Sequence, residues 1–331
     1  MAEQYTVTVA APEVDPVVAA ALAGRAAEGR TEVLVFDSQE LPQFFESEVQ
    51  RKLPRGYTLV LCGVEVVHID WDGRLVRPQL MENLRHFFGE VRWFSAAPWR
   101  PEDRRAVGHM IGDERLIVSE TAESVAGLVR RSLGAPEDDY EEALTHFAAS
   151  KLTVDEADWN EPLRTVLTSL KADRYALAEA AGELMEENIE GLLARHLERA
   201  RDVQKENRRF AGEEAEDPLR MGERRLVCVA LPPDKQCFWA EISGYAREEA
   251  EADVSLCRLL GRPTVLLARG PEFRADLREW ARYVTDLMPA ARSVGAREHV
   301  VPLVVDGLDD DPGLQRELLN LLRDGAHLLR Q

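Results

Sequence analysis

A histidine and two aspartates alternate in the segment His68-Ile69-Asp70-Trp71-Asp72. Alternate residues of a β-strand point to the same face, so a strand here would align all three polar side chains. One imidazole and two carboxylates form a donor set that can bind a divalent cation. The segment also fits a hairpin with a solvated polar face and a turn at Asp72-Gly73, and that structural interpretation is preferred.

A second acidic pair, Glu13 and Asp15, stands at the start of an Ala-rich helical segment, Pro16–Glu28. The two carboxylates could retain a metal ion. They could instead interact with the positive end of the helix dipole, which contributes about 0.3–1 kcal/mol per charge. The helix-terminus interpretation is preferred, and the pair remains a candidate for metal binding.

Two further side chains are candidates for ligand binding. His109 lies in the apolar run Val107–Gly112, where it could face a ligand from a loop. Arg269 precedes Gly270-Pro271 after an apolar strand, so its guanidinium and the backbone N–H groups could receive a phosphate. A packed histidine and a solvated loop arginine are the preferred alternatives.

The elements that must position these residues alternate between strands and helices. Short apolar strands at Tyr5–Ala10, Glu32–Phe36 and Leu59–Gly63 indicate a parallel sheet covered on both faces. Residues 139 to 214 have a helical pattern, and a second block of strands and helices follows. The sequence therefore predicts an α/β protein with a parallel-sheet domain (1–150), a helical connector (151–222) and a smaller α/β domain (223–331).

Composition narrows the function classes. The 331 residues carry a formal net charge of −19, which repels polyanions and argues against a broad nucleic-acid or membrane surface. Four dispersed cysteines without a C-x-x-C pair indicate buried thiols in a reducing compartment. We see no signal peptide and no membrane-spanning apolar run, so we expect a cytoplasmic protein. Recognisable P-loop, dinucleotide and esterase motifs are absent from the sequence.

The order of elements resembles the DHH phosphoesterase family with its C-terminal DHHA1 domain. That family includes exopolyphosphatases, short-oligonucleotide phosphodiesterases and cyclic-dinucleotide phosphodiesterases. Its His-x-Asp-x-Asp segment is similar to Ala11-Pro12-Glu13-Val14-Asp15. Its next metal-binding Asp falls near Cys62 or Gly63, and its Asp-His-His signature falls on Ser95-Ala96-Ala97.

Further family positions, one at the end of the first domain and the others in the second block, have also lost their diagnostic residues. A further family acid corresponds to Ser150, and the Arg-Ser pair of the DHHA1 domain corresponds to Arg269-Gly270. The Gly-rich, His-containing loop of that domain is replaced near Thr285–Pro289. Ser95 then becomes a ligand-binding candidate beside His109 and Arg269.

The resemblance implies a dinuclear Mn²⁺ or Mg²⁺ site, yet most side chains at the matching positions cannot donate to a cation. We therefore predict an inactive DHH-like protein, a pseudoenzyme without a cofactor, that binds a phosphorylated small molecule or a protein partner in an interdomain cleft. One alternative is an active Mn²⁺- or Mg²⁺-dependent hydrolase of nucleotides, short oligonucleotides or polyphosphate, in which His68, Asp70 and Asp72 join Glu13 and Asp15 as ligands. Another is a structural homo-oligomer that uses the charged helix Arg195–Arg209.

Overall fold

The structure is a computed structural model that describes residues 4–38, 40, 57–66, 88–133, 138–150, 157–293 and 299–329. The described residues form two compact units, one ending at Asp202 and the other beginning at Val203. The predicted boundaries at 150 and 222 divide the chain more finely and stay a prediction.

The first unit contains a five-stranded sheet in the order β2-β1-β3-β4-β5, and every pair in it is parallel. Ala10 at the end of β1 lies opposite Val35 of β2 and Cys62 of β3, so these strands end together. The α/β parallel sheet predicted from the apolar strands is confirmed. Its strands are β1 (Tyr5–Ala10), β2 (Arg30–Val35), β3 (Tyr57–Cys62), β4 (Phe88–Ser95) and β5 (Leu116–Val118).

Small side chains let the first helix lie deep in the core of this unit. In α1, every residue from Pro16 to Gly24 is buried. At Gly24 a Cβ atom would lie only 2.6 Å from the Met185 sulfur, so the neighbouring helix approaches the backbone itself. The helices that begin in this unit are α1 (Val14–Ala26), α2 (Pro101–Ile111), α3 (Val125–Leu133), α4 (Asp139–Ala148), α5 (Ala157–Ser169), α6 (Arg174–Met185) and α7 (Ile189–Glu214).

The second unit has a mixed six-stranded sheet in the order β10-β11-β9-β8-β7-β6. Of these pairs, only β7 with β8 is parallel. Trp280 is fully buried, and its indole N–H donates to the Leu322 carbonyl oxygen at 2.9 Å. The elements are β6 (Leu219–Met221), β7 (Arg224–Leu231), α8 (Trp239–Ala250), β8 (Val254–Leu259), β9 (Thr264–Arg269), α9 (Leu277–Leu287), β10 (Ala291–Ser293), β11 (Val300–Val305) and α10 (Pro312–Asp324).

One prediction about local structure was wrong. The sequence around His109 was interpreted as a glycine-flanked loop or as the setting of a packed histidine, but this residue lies exposed in the last turn of α2. Charged residues dominate the first half of α2, and only Val107, Gly108 and Ile111 of this helix are buried. Across the described ranges, no helix is long and apolar enough to cross a bilayer.

Candidate functional site

The carboxyl ends of β1, β3 and β4 bring the family-matched positions of the first unit together. The Ala11 N–H donates to the Cys62 carbonyl oxygen at 3.1 Å, and the Gly63 N–H donates to the Phe94 carbonyl oxygen at 2.9 Å. Strand β1 has β2 on one side and β3 on the other, which makes this edge the point where strand order reverses. Ligands of open parallel sheets bind at such an edge.

The residues that end β3 leave no place for a carboxylate ligand. Gly63 has a φ of +68°, and a Cβ atom there would lie 2.4 Å from Cγ of Pro16. Cys62 is fully buried, and burial raises the pKa of its thiol far above the usual range, with the Asp15 carboxylate adding to the effect. Since the thiolate is the form that binds metal, this cysteine is a poor ligand.

The side chain of Asp15 caps the helix α3. Its two oxygens accept hydrogen bonds from the backbone N–H groups of Val125 at 2.7 Å and Ala126 at 2.9 Å. These are first-turn amides of α3, which have no acceptor within their own helix. Burial raises the pKa of Asp15 to about 6, against the lowering effect of the two backbone hydrogen bonds.

Glu13 differs from Asp15 although only two residues separate them. It precedes α1, its side chain is exposed, and it forms no capping hydrogen bond. The preferred interpretation placed both acids at the start of their own helix. In the structure, Asp15 lies in the first turn of α1 but caps α3, a contact across more than a hundred residues that local pattern could not predict.

Arg164 is a neighbour of Asp15 that the sequence did not single out. Its half-buried guanidinium donates to the Phe147 carbonyl oxygen at 2.6 Å and lies 4.8 Å from that ring's centroid. Burial lowers the pKa of Arg164, while the Asp15 carboxylate raises it. The charges of Arg164 and Asp15 therefore act on each other across this edge of the sheet, without a direct ion pair between them among the described contacts.

Asn160 lies one helical turn before Arg164 on α5, so the two share a face. Asn160 is buried, and neither its side-chain oxygen nor its nitrogen has a hydrogen-bond partner among the described residues. One sequence signal could have pointed to Asn160 and Arg164: they are polar residues spaced i, i+4 in a helix that otherwise buries Leu163, Val166 and Leu167.

Ser95, at the Asp-His-His position, stabilises its own loop. It is fully buried, and its hydroxyl oxygen accepts from the Ala97 N–H and from the Trp99 indole N–H, both at 3.2 Å. Its neighbours Ala96 and Ala97 carry no donor atom. The other two ligand candidates lie elsewhere, His109 on α2 and Arg269 at the end of β9 in the second unit.

The side chain of Arg269 forms a hydrogen bond with the loop that follows β9. Its guanidinium donates to the Phe273 carbonyl oxygen, and its charge helps to hold the pKa of Asp276 below the usual range, an effect led by the hydrogen bond from Arg278. The predicted role in phosphate binding stays a prediction for this residue.

The described residues do not fit a dinuclear metal centre. Within the described ranges, no group of three or more His, Cys, Asp or Glu side chains is placed to hold an ion. At the sheet edge the oxygen donors are Glu13, which is exposed, and Asp15, whose oxygens already accept two amides. His68, Asp70 and Asp72 lie outside the described residues, so the prediction of a relocated site stays a prediction.

No protein-family model and no curated protein matches the sequence. Solved structures do match the fold. A DHH-domain protein described as belonging to a family of ribosomal proteins aligns with a TM-score of 0.66 at 12% identity, over 99% of this chain and 87% of that one. RecJ from Thermus thermophilus, in complex with Mn²⁺, aligns with a TM-score of 0.59 at 11% identity.

The RecJ alignment covers 98% of this chain but 52% of RecJ, so this chain spans about half the length of that protein. A manganese-bound exonuclease RecJ aligns with a TM-score of 0.52 at 11% identity, over 98% of this chain and 90% of that one. The chain therefore has the fold of DHH-domain proteins, and the family resemblance predicted from the order of its elements is confirmed at the level of fold.

Proposed function

We propose that this chain is a DHH-fold protein that binds a phosphorylated small molecule and does not hydrolyse it. The observation that carries the proposal is the chemistry of the sheet edge. Ala11 has no donor, Cys62 is a buried neutral thiol, and Gly63 has no room for a side chain. Phosphodiester hydrolysis with two metal ions needs carboxylates or imidazoles that hold the ions about 3.5–4 Å apart.

Asp15 supports the proposal because binding a metal would disturb the fold. A cation on its carboxylate would compete with the two amides at the start of α3, and each hydrogen bond to a charged group contributes roughly 1.5–3 kcal/mol. A hydrated ion held by Asp15 and the exposed Glu13 alone would offset little of that loss.

Arg164 supports the binding half of the proposal. A guanidinium can hold a phosphate through charge-assisted hydrogen bonds. It cannot lower the pKa of a bound water or clamp an attacking hydroxide, which are the contributions of a metal ion. With Arg164 beside Asp15, this edge has a positive charge suited to binding an anion without activating water.

Metal analysis and a substrate screen on the same preparation test the proposal. After dialysis against Mn²⁺ we expect no stoichiometric manganese, and no hydrolysis of diadenylate, short oligonucleotides or polyphosphate in Mn²⁺. Thermal shift with the same compounds reports binding. Mn²⁺-dependent turnover that disappears in a Glu13→Ala/Asp15→Ala double variant would contradict the proposal.

The alternating spacing of His68, Asp70 and Asp72 favours a second candidate, an active Mn²⁺- or Mg²⁺-dependent phosphoesterase. With these three residues joining Glu13 and Asp15 as ligands, it predicts turnover that is lost in His68→Ala and is weakened in Glu13→Ala. Turnover that His68→Ala leaves unchanged would exclude these relocated ligands.

A structural homo-oligomer built on the Arg195–Arg209 stretch of α7 is the third candidate. Several of its arginines already pair within the chain: Arg195 with Glu183, and Arg208 with Glu248 at 3.4 Å. Light scattering that detects only monomer would exclude it.

The buried free thiols of Cys62, Cys228 and Cys257 support a proposed cytoplasmic location, where thiols stay reduced.

A further inference from the structure

The guanidinium of Arg247, in the last turn of α8, is held by neutral partners. Its Nη1 donates to the hydroxyl oxygen of Ser243 at 2.6 Å and to that of Ser255 at 2.7 Å. Both serines are fully buried, while Arg247 is half-buried. No carboxylate among the described residues pairs with this arginine.

The two serines are oriented to accept. The Ser255 hydroxyl donates to the Ala268 carbonyl oxygen at 3.2 Å, and the two hydroxyl oxygens lie 2.6 Å apart. Whichever of the two hydroxyls donates to the other, each oxygen can still accept a hydrogen bond from Arg247. The lone pairs of both oxygens then remain for Arg247, which fixes the plane of its guanidinium.

The opposite edge of that guanidinium is open. Nε and Nη2 of Arg247 have no hydrogen-bond partner in the part of the chain that the structure describes. Two glycines flank this edge: a Cβ atom on Gly270 would lie 3.8 Å from Nε, and one on Gly244 would lie 3.9 Å from Nη2. Neither position carries a side chain that could fill the space.

The acidic side chains nearby have other partners. Asp253 lies 3.5 Å from Arg224, and Glu251 lies 3.1 Å from Arg225. Burial lowers the pKa of Arg247, but a guanidinium stays protonated in proteins. The charge of Glu248, which pairs with Arg208 at 3.4 Å, also acts on Arg247, but no carboxylate of the described residues lies within ion-pair distance of its guanidinium. A half-buried cation without such a partner is costly, and an anion at its open edge offsets that cost.

We infer that the Nε and Nη2 atoms of Arg247 bind a phosphate group of the ligand in bidentate fashion, beside Gly270. The inference rests on the proposed function and deepens it by assigning a phosphate receptor in the second unit. Parallel N–H donors of one guanidinium edge match two phosphate oxygens. The sequence pointed to the adjacent Arg269, whose guanidinium instead donates to the Phe273 carbonyl oxygen.

Titration of the full chain with inorganic phosphate tests this inference. We expect a saturable shift of one arginine Nε–Hε resonance, which is absent in Arg247→Lys, together with shifts of the backbone amides in residues 268–273. Sodium chloride at equal ionic strength should not reproduce these shifts, and acetate should bind more weakly. Arg247→Lys keeps the charge but loses the paired donors, so phosphate affinity should fall roughly tenfold.

Matched variants separate binding from folding. Arg282→Lys, at an exposed arginine on α9, should leave phosphate affinity unchanged. Gly270→Ala places a methyl group against Nε without a close contact, so affinity should fall several-fold while the thermal midpoint stays the same. Gly244→Ala should act similarly at Nη2, with a slight gain in helix stability.

The outcomes distinguish the inference from the proposed function. If the chain binds phosphate and both Arg247→Lys and Gly270→Ala bind it equally well, the receptor is elsewhere and only the inference fails. Equal or tighter binding of acetate overturns the assignment to phosphate. If no saturable shift is seen, Arg247 is not a phosphate site. The metal analysis and the hydrolysis screen test separately whether the chain lacks catalytic activity.

Discussion

Asp15 in the first unit and Arg247 in the second are both half-buried charged side chains, and they differ in what compensates the charge. Two backbone amides of α3 donate to Asp15 and offset part of the cost of burying its carboxylate. Arg247 is matched by two neutral hydroxyls, which fix its position but bring no counter-charge into contact with it. A carboxylate that already accepts two backbone hydrogen bonds is a poor ligand site. A guanidinium that is oriented through Nη1 alone can still donate to a ligand through Nε and Nη2.

The largest expected effect tests whether the first site is sterically closed. Gly63→Ala would place Cβ 2.4 Å from Cγ of Pro16 at a φ of +68°, so backbone strain and a clash add. We expect the free energy of unfolding to fall by about 3 kcal/mol or more, measured by urea denaturation. Gly182→Ala on α6, where no atom lies within 4 Å, is the control and should be neutral or stabilising. Equal stability of both variants would show that the edge can accept a side chain.

The next effect is a pH dependence at Asp15. Its pKa rises from 3.8 to about 6 on folding, so the protonated acid is the form that the fold favours. This contribution to stability is fully present below about pH 4 and is lost as the pH rises through about 6. Asp15→Asn cannot titrate, so its stability relative to the wild type should improve between pH 4 and 7, by about 1–3 kcal/mol.

Urea denaturation of both proteins at several pH values measures that difference. Asp173→Asn, which changes a helix cap of α6 that also accepts two backbone amides, is the control for losing a capping carboxylate. A wild-type to Asp15→Asn difference that stays constant from pH 4 to 7 would contradict the role assigned to burial.

A smaller effect is expected from removing one of the serines that orient Arg247 in the second unit. Ser255→Ala removes one of the two oxygens that orient Arg247, and it removes the hydrogen bond to Ala268. We expect stability to fall by about 1–2 kcal/mol and phosphate affinity to fall a few-fold, less than in Arg247→Lys. Chemical denaturation and phosphate titration on the same variant measure the two effects. Unchanged affinity would show that the serines do not orient the guanidinium.

The order of elements was readable from the sequence because it depends on local apolar patterns. Strand Tyr5–Ala10 was predicted with the bounds that the structure has. Helix α2 was missed because its segment is charged and contains Gly108, so its apolar signal is weak. The loss of side-chain donor atoms at Ala11, Ala96 and Ala97 was also readable, since it required only residue types.

The contacts that define the two charged sites were not readable as a whole, because they join different elements of the fold. Asp15 meets α3 across more than a hundred residues, and Arg164 reaches the same neighbourhood from α5. In the second unit, Ser243 and Ser255 belong to different elements that converge only in the fold. Ser243 and Arg247 are spaced i, i+4 on one helix, but that spacing alone does not reveal Ser255 as the second partner. The sequence therefore drew attention to Arg269 and not to Arg247.

The smallest expected effect concerns Glu13, the acid that shares the family-matched segment with Asp15. Glu13 is exposed and makes no capping hydrogen bond, so Glu13→Ala should change the free energy of unfolding by less than about 0.5 kcal/mol. Two acids two residues apart then differ because only one of them meets the amides of α3. Calorimetric titration with Mn²⁺ adds a second measurement: affinity that drops in Glu13→Ala would show that this carboxylate binds metal, whereas identical isotherms are expected from a side chain that contacts neither the fold nor an ion.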